Sequence, residues 1–220
     1  MHVAQLWRYP VKSMAGEPLQ QVIVEPLGLE GDRVVHVEDA RGRVVTARTH
    51  PRLLGHRALL DSAREPLVDG RPWRELSVLA DVERIVGPGA RLVHDESADR
   101  FDVLPVLVAT DGAINAFGYD GRRLRPNLVI AGVEGREERT WLGRCLRVGE
   151  VVIGLDDLRG RCVMTTFDPD TLEQDRRVLT KIVKQFGGKL ALNPRILRTG
   201  QIRCGDEVEL MAAEDAPIPG

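Results

Sequence analysis

Short apolar runs broken by turn residues fill the first third of the chain. Val22-Ile23-Val24, Val34-Val35-His36-Val37 and Val44-Val45-Thr46 are rich in β-branched side chains, with Gly28-Leu29-Glu30-Gly31-Asp32 and Asp39-Ala40-Arg41-Gly42 between them. Branched side chains suit a pleated, half-buried surface, and Gly and Asp favour tight turns. This spacing predicts a small antiparallel barrel or curled sheet. A helix is then expected from about Ser77 to Val86, because Val78, Leu79, Val82, Ile85 and Val86 recur at helical intervals. Ser77 is its expected cap and Gly87-Pro88-Gly89 its stop.

Beyond that turn the pattern becomes strand, helix, strand: Val106 to Ala109, then Asp111 to Phe117 behind Thr110 as cap, then Leu128 to Ile130. Cys145 to Val148 and Val151 to Ile153 read as strands joined by a Gly149-Glu150 turn. From Arg177 to Phe186, the residues Val178, Leu179, Ile182, Val183 and Phe186 are expected on one helical face, ended by Gly187-Gly188. Glu207 to Met211 forms the last expected strand. No internal repeat and no long linker separates the halves. The polar residues Lys181 and Lys184 fit a solvated helix face or, less often, a docking surface.

Composition adds limits rather than a function. With 220 residues, 43% hydrophobic and 29% charged, the chain has the balance of a folded globular protein. Its net charge of −2 supplies no global basic field, so no nucleic acid and no membrane partner is expected, and an anionic ligand needs a local cluster. Cys145, Cys162 and Cys204 are far apart and lack CxxC spacing, which argues against a disulfide framework or a zinc site. The N-terminus does not read as a signal peptide and no run reaches membrane-spanning length. A cytoplasmic protein is the expectation.

Several signatures are absent: no GxxxxGK[ST], no GxGxxG, no HExxH and no GxSxG, while His2, His36, His50, His56 and His94 show no ligand spacing. What remains is basic and small polar residues in turn-like settings, in Tyr9-Pro10-Val11-Lys12-Ser13, Gly31-Asp32-Arg33, Thr46-Ala47-Arg48 and Arg122-Arg123-Leu124-Arg125-Pro126-Asn127. Lys and Arg usually face solvent. At strand ends, however, arginine forks and lysine suit phosphate, and asparagine suits a heterocycle edge. Cys162 stands beside Arg161 and near Arg159. A free cysteine is most often a small buried hydrophobe, yet nearby positive charge favours the thiolate that ligates metals. One thiol with this basic set suits a phosphorylated polar cofactor that carries a soft metal.

In this order the segments resemble those of MOSC domain proteins with an N-terminal MOSC β-barrel domain, the family of the mitochondrial amidoxime reducing component and its bacterial relatives. The resemblance runs from Leu6-Trp7-Arg8-Tyr9-Pro10-Val11-Lys12-Ser13 through Gly31-Asp32-Arg33, Val45-Thr46-Ala47-Arg48 and Arg125-Pro126-Asn127. It continues through Arg161-Cys162, Thr165-Thr166-Phe167-Asp168-Pro169-Asp170-Thr171 and Gly200-Gln201-Ile202-Arg203. It implies a mainly β (α+β) fold with a few helices, in which a MOSC-type β-barrel packs against a smaller N-terminal β-barrel. The implied division is an N-terminal domain at 1–90, a MOSC domain at 91–213 and a flexible tail at 214–220.

The resemblance also implies a molybdenum cofactor (Mo-molybdopterin). Cys162 is the implied metal ligand and catalytic residue, and Lys12, Ser13, Arg33, Arg125, Asn127, Gly160 and Arg161 the implied cofactor contacts. The implied reaction reduces small N-hydroxylated substrates such as amidoximes, hydroxamic acids and hydroxylamines. Electrons would come from a separate electron-transfer protein: a reductase, a flavin protein or an iron–sulfur protein. Two alternatives stand beside it, a sulfur carrier or sulfurtransferase using a Cys162 persulfide and a non-catalytic cofactor carrier. Relatives have cysteine where this chain has Arg159, serine at Gly160, and small hydroxyl residues at Val103 and Leu104. Each lost hydroxyl contact is worth about 0.5–1.5 kcal/mol.

Overall fold

The structure, a computed structural model, describes residues 1–215. Of the tail expected at 214–220, residues 216–220 lie outside the described residues. In chain order the strands are β1 (His2–Arg8), β2 (Glu17–Leu19), β3 (Gln21–Glu25), β4 (Gly28–Leu29), β5 (Val35–Glu38), β6 (Val44–Val45), β7 (Ala58–Leu60), β8 (Pro66–Val68) and β9 (Arg71–Pro72). After helix α1 (Leu76–Val86) come β10 (Arg91–His94), β11 (Val108–Thr110), α2 (Asp111–Phe117), β12 (Leu128–Ala131), β13 (Cys145–Val148) and β14 (Val151–Gly160). The chain continues through α3 (Arg176–Phe186), β15 (Lys189–Arg198), β16 (Gly200–Arg203) and β17 (Val208–Met211).

The expected mainly β fold with a few helices is present. One eight-stranded sheet runs β17-β13-β14-β15-β11-β12-β1-β2, and three-stranded sheets run β10-β5-β6, β16-β3-β4 and β7-β8-β9. An isolated bridge from His2 to Glu207 brings the first strand toward the last, but among the described residues the ladder does not close into a barrel. The parallel pair β11 and β12 is joined through α2, the usual crossover for parallel strands.

Local chemistry explains the elements that matter for the site. β3 alternates with Val22 and Val24 buried and its other residues exposed, as a one-sided strand should. Thr110 caps α2 by accepting a hydrogen bond from the Ala113 N–H at 3.1 Å, as expected, and left-handed Gly118 ends it. Asp175 caps α3 and Gly187 at φ 64° closes it. Two expectations are corrected. α1 starts at Leu76 behind Glu75 with no side-chain cap, and the Ser77 hydroxyl instead accepts from Arg71 at 3.0 Å. In α3 the buried line is Val178, Ile182 and Phe186, at four-residue spacing, which turns Val183 outward to 57% exposure.

Two main cores result. Val3, Leu6, Val22, Val24 and Leu29 pack with Ile130, Leu146, Ile153 and Ile202, so β1, β3 and β4 share a core with the C-terminal half. Val11, Val35, Leu53, Val78 and Val82 form the second core. The chain crosses from one to the other at Tyr9-Pro10-Val11, which places Lys12 and Ser13 at the junction. No helix is long and apolar enough to cross a membrane among the described residues.

Candidate functional site

The junction is pinned by backbone hydrogen bonds. Arg33 N–H donates to Tyr9 at 2.8 Å, Val35 N–H to Pro10 at 3.1 Å and Lys12 N–H to Val35 at 2.7 Å. Ser13 (φ 71°), Arg33 (φ 58°) and Arg125 (φ 55°) all sit in the left-handed region. That conformation costs a residue with a Cβ about 1–2 kcal/mol. Such strain is retained where surrounding structure fixes it, and functional sites collect it.

All eight residues expected from the sequence, Lys12, Ser13, Arg33, Arg125, Asn127, Gly160, Arg161 and Cys162, line one cleft. Arg48, Arg123 and Arg159 join them, giving seven cationic side chains against the single carboxylate of Asp102. In a chain of net charge −2, this is the local positive cluster that an anionic ligand needs.

The members are not equivalent. Lys12 Nζ lies 2.9 Å from Asp102 and donates to the Arg100 carbonyl at 3.0 Å, while Arg48 takes the other Asp102 oxygen. Burial alone would raise the Asp102 pKa, but Lys12 and Arg48 hold it below the usual carboxylate range. For Arg48 the opposing effect of burial is outweighed by the Cys162 and Asp102 side chains, which hold its pKa above the ordinary arginine value. Arg161 donates to the Leu124 carbonyl at 2.7 Å, while its Nε is buried without a partner. Burial pushes its pKa down to about 10, helped by the nearby charge of Arg159. Arg125 stacks over Tyr9 with its guanidinium carbon 4.2 Å from the ring centroid, and burial also lowers its pKa to about 10. Tyr9, buried beside these cations, is pushed up to about 12 by desolvation.

Asn127 plays a different part from the one its residue type suggests. Its Nδ2 donates to the Trp7 carbonyl at 3.2 Å and to Asp32 at 3.3 Å, and its Oδ1 accepts from the Leu107 N–H at 3.1 Å. The buried amide therefore fastens the wall beneath Arg33, whose guanidinium pairs with buried Asp32. Cys162 is half-buried after β14. Its carbonyl accepts from the Thr165 hydroxyl at 2.8 Å and the Thr165 N–H at 3.1 Å, so the turn after the thiol is fixed by its own side chains. Thr166 and Asp168 continue this, with Asp168 accepting from the Asp170 and Thr171 N–H groups at 3.0 Å each. Cys145 is buried in the core and Cys204 packs against it, away from the cleft lining.

Arg48, Arg123 and Asp102 are cleft residues that the sequence left unassigned. Arg48 ends a turn-like group of the same kind as Arg33, and that was its only signal. Among the described residues no group of three or more His, Cys, Asp or Glu could hold a metal ion.

Residues 1–72 match the MOSC N-terminal beta barrel domain and residues 110–209 match the MOSC domain. The chain is a MOSC domain protein. Its cleft is shared between the matched parts: Lys12, Ser13, Arg33 and Arg48 come from the N-terminal domain, and Arg125, Asn127, Arg161 and Cys162 from the MOSC domain. Asp102 lies in the segment between them. The chain is similar to mitochondrial amidoxime-reducing component 1 from Homo sapiens, at 26% identity over 84% of this chain and 71% of that protein. Mitochondrial amidoxime-reducing component 1 from Mus musculus is also 26% identical, over 95% of this chain and 82% of its own length. In fold, this MOSC chain resembles the YUAD protein from Bacillus subtilis, with a TM-score of 0.53 at 11% identity over 96% of this chain and 95% of that one.

Proposed function

We propose that this MOSC chain holds a molybdenum–pterin cofactor in the shared cleft and reduces N-hydroxylated compounds. The observation that carries the reading is one thiol, Cys162, in a cleft of seven cations where the buried Nε atoms of Arg123 and Arg161 lack partners. Unpartnered buried donors are costly, by about 1–3 kcal/mol each, and an anionic heterocycle with a phosphate would satisfy them. The names of the relatives point to the same chemistry.

In this reading Lys12, Arg33, Arg48, Arg125 and Arg161 would hold the phosphate and pterin, and Cys162 would give its sulfur to the metal. Asp32 and Asn127 keep Arg33 in place, Ser13 secures the turn by accepting from the Ala47 N–H at 3.0 Å, and Gly160 leaves room at the end of β14. When bound, the cofactor supplies two-electron oxygen-atom exchange. Overall, an N–OH group takes up two electrons and two protons and leaves as N–H and water. The electrons come from a separate reductase, flavin protein or iron–sulfur protein.

The test is molybdenum and pterin analysis of protein made in a host that synthesises the cofactor, with Cys162→Ser in parallel. Near-stoichiometric metal and pterin in the wild type, with metal depleted in the variant, supports the reading. Absence of both overturns it and moves the assignment to a Cys162 persulfide, for which the cationic lining that Arg48 shares with the thiol is the supporting feature.

A further inference from the structure

Next to the cleft lies a second cavity, walled by Trp7, Tyr9, Met164 and Phe167 and rimmed by Arg57 and Arg125. Arg123, Arg125 and Met164 line both spaces, so the two adjoin across those side chains. Met164 stands two residues after Cys162. The lining differs across this partition: the cleft carries seven cationic side chains, whereas the second space sets the rings of Trp7, Tyr9 and Phe167 among its guanidinium groups.

The walls are not used up by folding. Trp7, Met164 and Phe167 are half-buried and belong to none of the hydrophobic cores among the described residues. Trp7 satisfies its only donor by bonding Gln5 at 3.0 Å, which leaves the ring face available. The charges at the rim differ in a useful way. Arg122 is neutralised by Asp170, with contacts of 2.6 and 2.9 Å, and Arg123 is paired with Asp168 at 2.8 Å. Arg125 gives its guanidinium to the Tyr9 ring, and the Arg57 side chain makes no ion pair or hydrogen bond with the described residues. Arg57 is therefore the guanidinium that borders the aromatic slot with neither a carboxylate nor a ring partner among the described residues.

We propose that this second cavity binds the organic body of the substrate and selects planar aromatic N-hydroxylated compounds carrying an anionic substituent, a carboxylate or a phosphate. The N-hydroxyl group rests on the reductase reading above; the aromatic and anionic parts rest on the cavity alone. Aromatic faces favour a flat ring, and an arginine fork favours an oxyanion over a neutral or cationic group.

The test titrates the full chain with 4-carboxybenzamidoxime, neutral benzamidoxime and its 4-trimethylammonio analogue, by calorimetry and by tryptophan fluorescence. Trp73 and Trp141 are buried, so Trp7 is the tryptophan placed to report. The carboxylate should bind about tenfold more tightly than the neutral compound, the expected size of one charge-assisted contact, and the cation should bind most weakly. Trp7→Phe should remove the fluorescence response, and Arg57→Gln should bring the affinity ratio toward one. Equal affinity for all three compounds, or a ratio that survives Arg57→Gln, overturns the proposal. Binding needs neither metal nor turnover, so charge-selective binding without reduction upholds this inference while the reductase reading fails. Reduction without charge preference does the reverse.

Discussion

Lys12 Nζ and the Asp102 carboxylate meet at 2.9 Å inside the cleft, and Arg48 engages the second carboxylate oxygen. One internal anion thus stands between two of the three cations contributed by the N-terminal domain. Replacing Asp102 with Asn would keep the shape and remove the charge. Inorganic phosphate should then bind about tenfold more tightly, equivalent to ~1.4 kcal/mol, in calorimetry at low ionic strength. An unchanged affinity would place anion binding away from Lys12 and Arg48.

The same carboxylate sets a pH dependence. Its folded pKa lies below the ordinary value of about 3.9, so its contribution to stability is complete above that value and is lost as pH falls through the lowered folded pKa. Urea unfolding followed across the acid range should show a steep fall for the wild type and a shallower one for Asp102→Asn. Parallel acid limbs would count against the ion pair.

Cys162→Ser should abolish molybdenum retention and reductase turnover while leaving the fold intact. The thiol faces the cleft, and the hydrogen bonds at this position come from its backbone carbonyl. Thermal unfolding should change by no more than about 0.5 kcal/mol, the usual range for substitutions outside the core. A large loss of stability would mean that the thiol is packing rather than chemistry.

Arg125 separates side chain from backbone. Arg125→Ala and Arg125→Gly should both weaken cofactor retention, because each removes the guanidinium over Tyr9. At φ 55° the glycine variant should be the more stable of the two by about 1 kcal/mol. Metal content read beside chemical unfolding checks both halves of this expectation.

Asn127→Ala should act chiefly on stability. It would leave the Trp7 carbonyl, the Leu107 N–H and one side of Asp32 unsatisfied in a buried setting, at a cost of about 1–3 kcal/mol. Cofactor loss in this variant should track unfolding in a denaturant series. Loss of cofactor at full stability would instead show that the amide contacts the ligand itself.

The site was legible in the sequence where chemistry and turn context coincided. Lys12, Arg33, Arg125 and Cys162 occupy strand ends, and the structure brings all four to one cleft. Asp102 and Arg123 were not assigned, because an acidic residue after Phe101 and one more arginine beside Arg122 look like ordinary surface. Only tertiary packing turns them inward. α2 was legible through Thr110 and its short apolar run. By contrast, β15 carries Pro194 and left-handed Ala191, both poor strand signals, and is held by seven residue pairs with β14, distant in sequence. Ser77 misled for the opposite reason: a good capping residue lay one position inside a helix that starts uncapped.

The pairing of β1 with β12 and of β3 with β16 has a consequence for biosynthesis. The first thirty residues leave the ribosome long before Gly200–Arg203 exists to accept Val22 and Val24 as neighbours. Until then their apolar faces stay open. Such distant pairings slow folding. Completion of the sheet at β3 is therefore a late event, waiting on nearly the whole chain, and any substitution that delays β16 lengthens the interval in which Val22-Ile23-Val24 can pair with the wrong strand.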